Sequence, residues 1–179
     1  MEPLEKLSKL IEERNVIDDQ ISSIIGYPAE KGHVGEFIAS KIFNITQNES
    51  ATQRGHDGVF SDVTLNGKTV NVKFYPKREG FIDLQPKFPP DYYLVLAGPK
   101  TKPSSSRGTT RPWMIDSVFL FDAEKLHSIL QKRGIKLGVA TSVIEDLWKE
   151  AEIYPNQTNT LLILSESQKN YLKLFAFKK

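Results

Sequence analysis

The residues with chemistry to offer lie between Gly32 and Lys73. Asp57 precedes a strand pattern that runs to Leu65, and Asn66-Gly67 follows, a pair that accepts positive φ and so favours a tight reversal. The returning segment, TVNVKFY over 69–75, carries Asn71 and Lys73 two apart, so both leave the same face of a strand. Carboxylate and amide oxygens are ligands for a hard divalent cation such as Mg²⁺. A lysine beside them can orient or deprotonate a water, or offset developing negative charge. His56 adjoins Asp57 and could touch a phosphate or a metal.

A helix must bring a further acid to this strand pair. The pattern predicts one from about Ala29 to Phe43, after Gly26 ends the preceding run and Pro28 opens the next. Val34, Phe37, Ile38 and Ile42 form its apolar side. Gly32, Gly35, Glu36, Ala39 and Ser40 lie three and four apart on another side. Small residues let a helix approach a sheet closely, so Glu36 is expected to point at the sheet. His33, three before Glu36, can share its face.

An acid, a hairpin and a polar-x-Lys strand, preceded by a glutamate-bearing helix, resemble the core of the PD-(D/E)xK, restriction-endonuclease-like nucleases. The likeness spans about Gly32 to Leu96. More narrowly, GHVGEFIASKIFNI followed by RGHDG and VNVK is similar to small prokaryotic domains of that superfamily. The resemblance implies a metal-dependent endonuclease that hydrolyses phosphodiester bonds in DNA, in a restriction or defence setting. It implies that Glu36, Asp57 and the Val72 backbone carbonyl hold one Mg²⁺ or Mn²⁺, with Lys73 beside the attacking water. Asn71 stands where the family usually has Asp or Glu. An amide brings no charge, which keeps a second reading open: a catalytically weakened nuclease fold that binds nucleic acid or a protein partner. DNA is the expected partner, with RNA not excluded and a homodimer open.

Register leaves two candidates for the hairpin acid. If Asn66 and Gly67 are the whole loop, Leu65 faces Lys68, Asp62 opposes Asn71, and Asp57 opposes Pro76, facing away from Asn71 and Lys73. A three-residue loop with a bulge, or a bulge at Gly58, would re-aim Asp57. Asp57 is the expected ligand and Asp62 the alternative.

Charge is unevenly spread along the 179 residues. Residues 1–50 carry 5 basic and 9 acidic side chains, and residues 51–111 carry 10 basic and 5 acidic, within a whole-chain net charge of +2. A basic zone in a near-neutral protein suits a polyanion. Gln53, Arg54, His56, Lys77, Arg78 and Arg107 are the expected nucleic-acid contacts, with Lys100, Lys102 and Arg111 as further phosphate candidates. His127 reads as a surface residue. There is no cysteine, which excludes disulfides, a thiol nucleophile and Cys-ligated zinc, and fits a cytoplasmic location. The N-terminal MEPLEKLSKLIEE is too charged for a signal peptide, and no apolar run approaches a membrane span.

The remaining pattern predicts a single domain over 1–179, with an N-terminal helical extension (1–26), a core motif region (29–97) and a basic loop (98–112). Apolar positions at helical spacing over 3–25 read as packing, in one helix or in two broken at Asn15. Residues 44–56 read as a polar connection. FIDLQ, DYYLVLAG, WMIDSVFLF and LLILS read as strands. Helices are expected from Asp122 to about Lys132, from Ser142 to Ala151, and over SESQKNYLKLFAF. The expected fold is α/β (α+β): a central mixed β-sheet flanked by helices.

Overall fold

The computed structural model describes residues 2–48, 55–102 and 110–177. In chain order the elements are α1 (Pro3–Ile25), α2 (Lys31–Phe43), β1 (Ile45–Gln47), β2 (Gly58–Phe60), β3 (Thr69–Tyr75), β4 (Phe81–Ile82), β5 (Tyr92–Ala97), β6 (Ser117–Asp122), α3 (Ala123–Lys132), β7 (Thr141–Ser142), α4 (Glu145–Ala151), β8 (Glu152–Tyr154) and α5 (Glu166–Lys173).

β5 is buried at all six positions. A strand apolar on both faces belongs inside a sheet covered on both sides. That is its place in the six-stranded order β1-β2-β3-β5-β6-β8. β3 and β5 run parallel, and the other pairs are antiparallel, so the sheet is mixed as expected. One face packs on residues of α2 and α5, among them Ile38, Ile42 and Leu172. The other packs on α3 and α4, through Leu126, Leu130, Leu147 and Trp148. β4 and β7 form a separate small sheet. Among the described residues, no helix is long and apolar enough to cross a membrane.

Gly35 sets the approach of α2 to the sheet. A Cβ built there would lie 2.6 Å from Phe74 Cβ of β3, closer than two carbons can sit. Gly35, Ile38, Ala39, Ile42 and Phe43 make one buried face, so the small residues and part of the apolar set share a side. Asp122 caps α3 as expected, its side chain accepting the Lys125 N–H.

Several expectations change. α1 is one unbroken helix, and none of its residues is buried. Leu4, Leu7, Leu10, Ile11, Val16, Ile17 and Ile24 are all exposed, so the periodic stripe does not pack on this chain's core. Residues 45–47, read as connection, form the edge strand β1, because Ile45 and its neighbours pair with β2. FIDLQ supplies β4, but in the small sheet. α4 starts at Glu145 rather than Ser142, and α5 ends at Lys173.

LLILS is not a strand. Leu162 and Leu164 are buried and Leu161 and Ile163 exposed, which mimics strand alternation. Its peptide groups instead bond to side chains: the Leu161 N–H donates to Asn159 Oδ1, and the Gln157 amide donates to the Leu162 carbonyl. The edge beside β6 belongs to β8.

Candidate functional site

The hairpin register decides what Asp57 can reach. Gly58 lies opposite Val70 and Val59 opposite Thr69. β2 ends at Phe60, and residues 61–68 form a long connection in place of a two-residue loop. Phe60 N–H donates to the Lys68 carbonyl, and Gly67 N–H to the Phe60 carbonyl, closing this excursion. The Asn66-Gly67 reversal is present, with the Lys68 N–H donating to the Leu65 carbonyl at 2.9 Å, but it ends a longer excursion that neither a two-residue loop nor a one-residue bulge describes. Val63, expected in the strand's apolar pattern, is fully exposed in the excursion.

The longer connection brings Asp57 alongside Asn71. Asp57 N–H donates to the Val70 carbonyl at 2.8 Å. Asp57 Oδ2 accepts the Val72 N–H at 2.7 Å, and Oδ1 accepts the Asn71 side-chain amide at 3.3 Å. In a strand the N–H and C=O of one residue leave on the same edge, so the Val72 carbonyl also faces the edge that Asp57 occupies. Asp62 does other work: its Oδ1 accepts the Leu65 N–H at 2.7 Å and fixes the excursion. The register argument that made Asp62 the alternative fails because the loop is longer than the Asn-Gly pair.

Glu36 joins from α2. Burial raises its pKa, and the Asp57 charge raises it further, while His33 and Lys73 pull it down. Burial likewise raises Asp57, opposed by the Val72 N–H, Lys73 and His56. These mutual effects put the Glu36, Asp57 and Lys73 charges in one neighbourhood. Burial is the largest cause of both shifts, and it disfavours the ionised form of each carboxylate.

Asn71 carries the sharpest feature. It is buried, at 6% exposure, and its Oδ1 has no hydrogen-bond partner among the described residues. A buried acceptor left unpaired costs about 1–3 kcal/mol. Turning the amide over would set its oxygen against Asp57 Oδ1, so the orphan does not vanish with the assignment. An oxygen-seeking cation would satisfy it and relieve both carboxylates. Asp57, Asn71 Oδ1 and the Val72 carbonyl are oxygen donors of the kind a hard ion takes, and the Glu36 carboxylate lies near enough to feel the Asp57 charge.

The other expected residues scatter. Gln53, Arg54 and Arg107 lie outside the described residues. His56 stands beside Asp57, and its carbonyl accepts the Asn48 amide. His33 Nδ1 donates to the Pro28 carbonyl at 3.1 Å. Arg78 is not a surface phosphate contact: its guanidinium forks onto Glu145 at 2.9 and 3.1 Å and lies over the Phe119 and Trp148 rings. Lys100 pairs with the same glutamate. His127 is buried, not superficial, and its Nε2 is 3.2 Å from the Tyr93 hydroxyl. Lys77 is half-buried beside Tyr75. Sequence reasoning passed over Tyr75, although it follows Asn71 and Lys73 at period two on the same strand face.

No protein-family model matches the chain, and no curated protein matches it in sequence.

Proposed function

We propose that this chain is a divalent-metal-dependent endonuclease acting on DNA, of the PD-(D/E)xK kind that its motif resembles. The observation that carries the reading is the buried, unpartnered Asn71 Oδ1 on a side chain bonded to Asp57, an acid whose ionisation burial disfavours and whose charge Glu36 feels. Glu36, Asp57, Asn71 Oδ1 and the Val72 carbonyl would hold Mg²⁺ or Mn²⁺. When bound, such an ion neutralises phosphate charge and acts as a Lewis acid toward the leaving oxygen. Lys73 leaves the same strand face as Asn71 and can orient the attacking water or take its proton. Asp57, pinned by the Val72 N–H, keeps the donor set rigid while the phosphate is bound.

One observation favours a weakened, binding-only module. Asn71 brings no charge to the position where the family it resembles usually has Asp or Glu. Cleavage of single-stranded, duplex and branched DNA and of RNA, with Mg²⁺ and Mn²⁺, separates the two. Lys73→Ala is expected to abolish cleavage while sparing the fold. A wild-type chain that binds nucleic acid and cuts none of these substrates would establish the weakened module.

A homodimer is the partner reading attached to α1, whose large apolar side chains stand in solvent. Leu10→Glu with Ile17→Glu is expected to convert a dimer to a monomer in sedimentation. A wild-type chain that sediments as a monomer at high concentration removes it.

A further inference from the structure

β3 continues past the candidate site, and Tyr75 stands two residues beyond Lys73 on the same face. Two residues of strand span about 6.6 Å, a step that one nucleotide of extended backbone can cover. At that point the surface opens into a recess of about 400 Å³. Ligand pockets of this size are ordinary for small molecules.

The lining has the composition of a site that stacks bases. Trp113 and Phe81 border the recess and are 41% and 39% exposed. Trp148, the other tryptophan, is 1% exposed and locked edge-on against Phe119 and Phe121. Cations also line the recess. Lys31 Nζ lies 5.9 Å from the Tyr75 ring centroid, Lys77 adjoins Tyr75, and Arg111 is held as a fork by Glu79 at 3.2 and 3.3 Å. Asp83 also lines the recess, its Oδ1 fixed by the Ala140 N–H at 2.7 Å, and offers an acceptor for a base amino group.

The frame is pinned. The Tyr75 hydroxyl accepts the Asp83 N–H at 2.9 Å, and the β4–β7 pairing fixes Phe81 opposite Ser142. Tyr75 and Phe81 are therefore presented by paired backbone.

We infer that this recess is a subsite for an unpaired nucleotide adjoining the phosphate at Lys73, so the substrate class is single-stranded nucleic acid. Stacking on a protein ring needs a free base face, which a base inside a duplex does not have. Lys31 and Lys77 flank the recess and can take the neighbouring phosphates. The inference rests on the nucleic-acid reading of the Asp57–Lys73 site.

The test uses the full chain without metal, so that binding is read apart from cleavage. A short single-stranded oligodeoxynucleotide and the blunt duplex of the same sequence are titrated while tryptophan emission and oligonucleotide polarisation are followed. The single strand is expected to quench emission and the duplex to leave it almost unchanged. Trp148→Phe should keep the quench and Trp113→Phe lose it. Trp113→Ala should weaken single-strand affinity by roughly tenfold with an unchanged melting temperature. Equal quenching by the duplex, or oligonucleotide binding that leaves Trp113 emission unchanged, overturns the subsite. A chain that cleaves with Mg²⁺ but gives no Trp113 quench overturns the subsite and leaves the nuclease reading standing. A chain that quenches and never cleaves supports the subsite and removes the nuclease reading.

Discussion

Asn71 donates its side-chain amide to Asp57 Oδ1 and buries its own Oδ1 without a partner. The amide serves in two ways at once. It donates a hydrogen bond to an acid whose ionised form burial disfavours, and it holds a neutral oxygen that no other group satisfies. A carboxylate in its place would lose the first role and strengthen the second.

Asn71→Asp is therefore expected to lower metal-free stability by about 1–2 kcal/mol, through like charge beside Asp57 and the lost hydrogen bond. It should tighten Mn²⁺ binding by about tenfold, or about 1.4 kcal/mol. Thermal melts with and without chelator, together with calorimetric titration, read both quantities. An unchanged Mn²⁺ affinity would remove Asn71 from the donor set.

Acid dependence follows from the raised pKa values of Glu36 and Asp57. A raised carboxylate pKa favours the protonated folded form, so this contribution is greatest at low pH and is lost as pH rises through the folded values. A bound cation offsets that loss, and protons compete with it. The rise in melting temperature given by Mn²⁺ should be near zero at acid pH and grow as pH rises above the raised values. A pH-independent gain would place the ion elsewhere.

Gly35→Ala tests the seating of Glu36. The added methyl meets Phe74 Cβ, so α2 must back away from β3. A cost of about 1–3 kcal/mol is expected, with weaker Mn²⁺ binding because Glu36 moves with its helix. Unfolding followed by circular dichroism and metal titration measure the two effects. Full stability in this variant would contradict the close approach.

Arg78 and Lys77 are neighbours with opposite expectations. Arg78→Ala strips a guanidinium from Glu145 and from two aromatic faces and should cost about 2–3 kcal/mol. Lys77→Ala should leave stability within about 0.5 kcal/mol and reduce the salt slope of DNA binding by about 1. Urea melts and affinity across a salt series separate them, and a loss of DNA affinity without loss of stability in Arg78→Ala would reverse the assignment.

The sequence by itself determined the buried strand at 92–97, the cap at Asp122, the glutamate-bearing helix and the period-two spacing of Asn71 and Lys73. Each is a local matter: apolar run, side-chain cap, helical face or strand alternation, all set within a few residues. Only the tertiary structure set Asp57, and not Asp62, beside Asn71, because register depends on how far the chain wanders before Lys68 pairs back on Phe60. It also decided that Arg78 is spent on Glu145, that His127 is buried against Tyr93, and that LLILS finds no strand partner. The stripe on α1 shows the same limit. Periodicity says that a helix has an apolar face, but what that face meets depends on surfaces distant in the chain, and in this fold the core is closed without it.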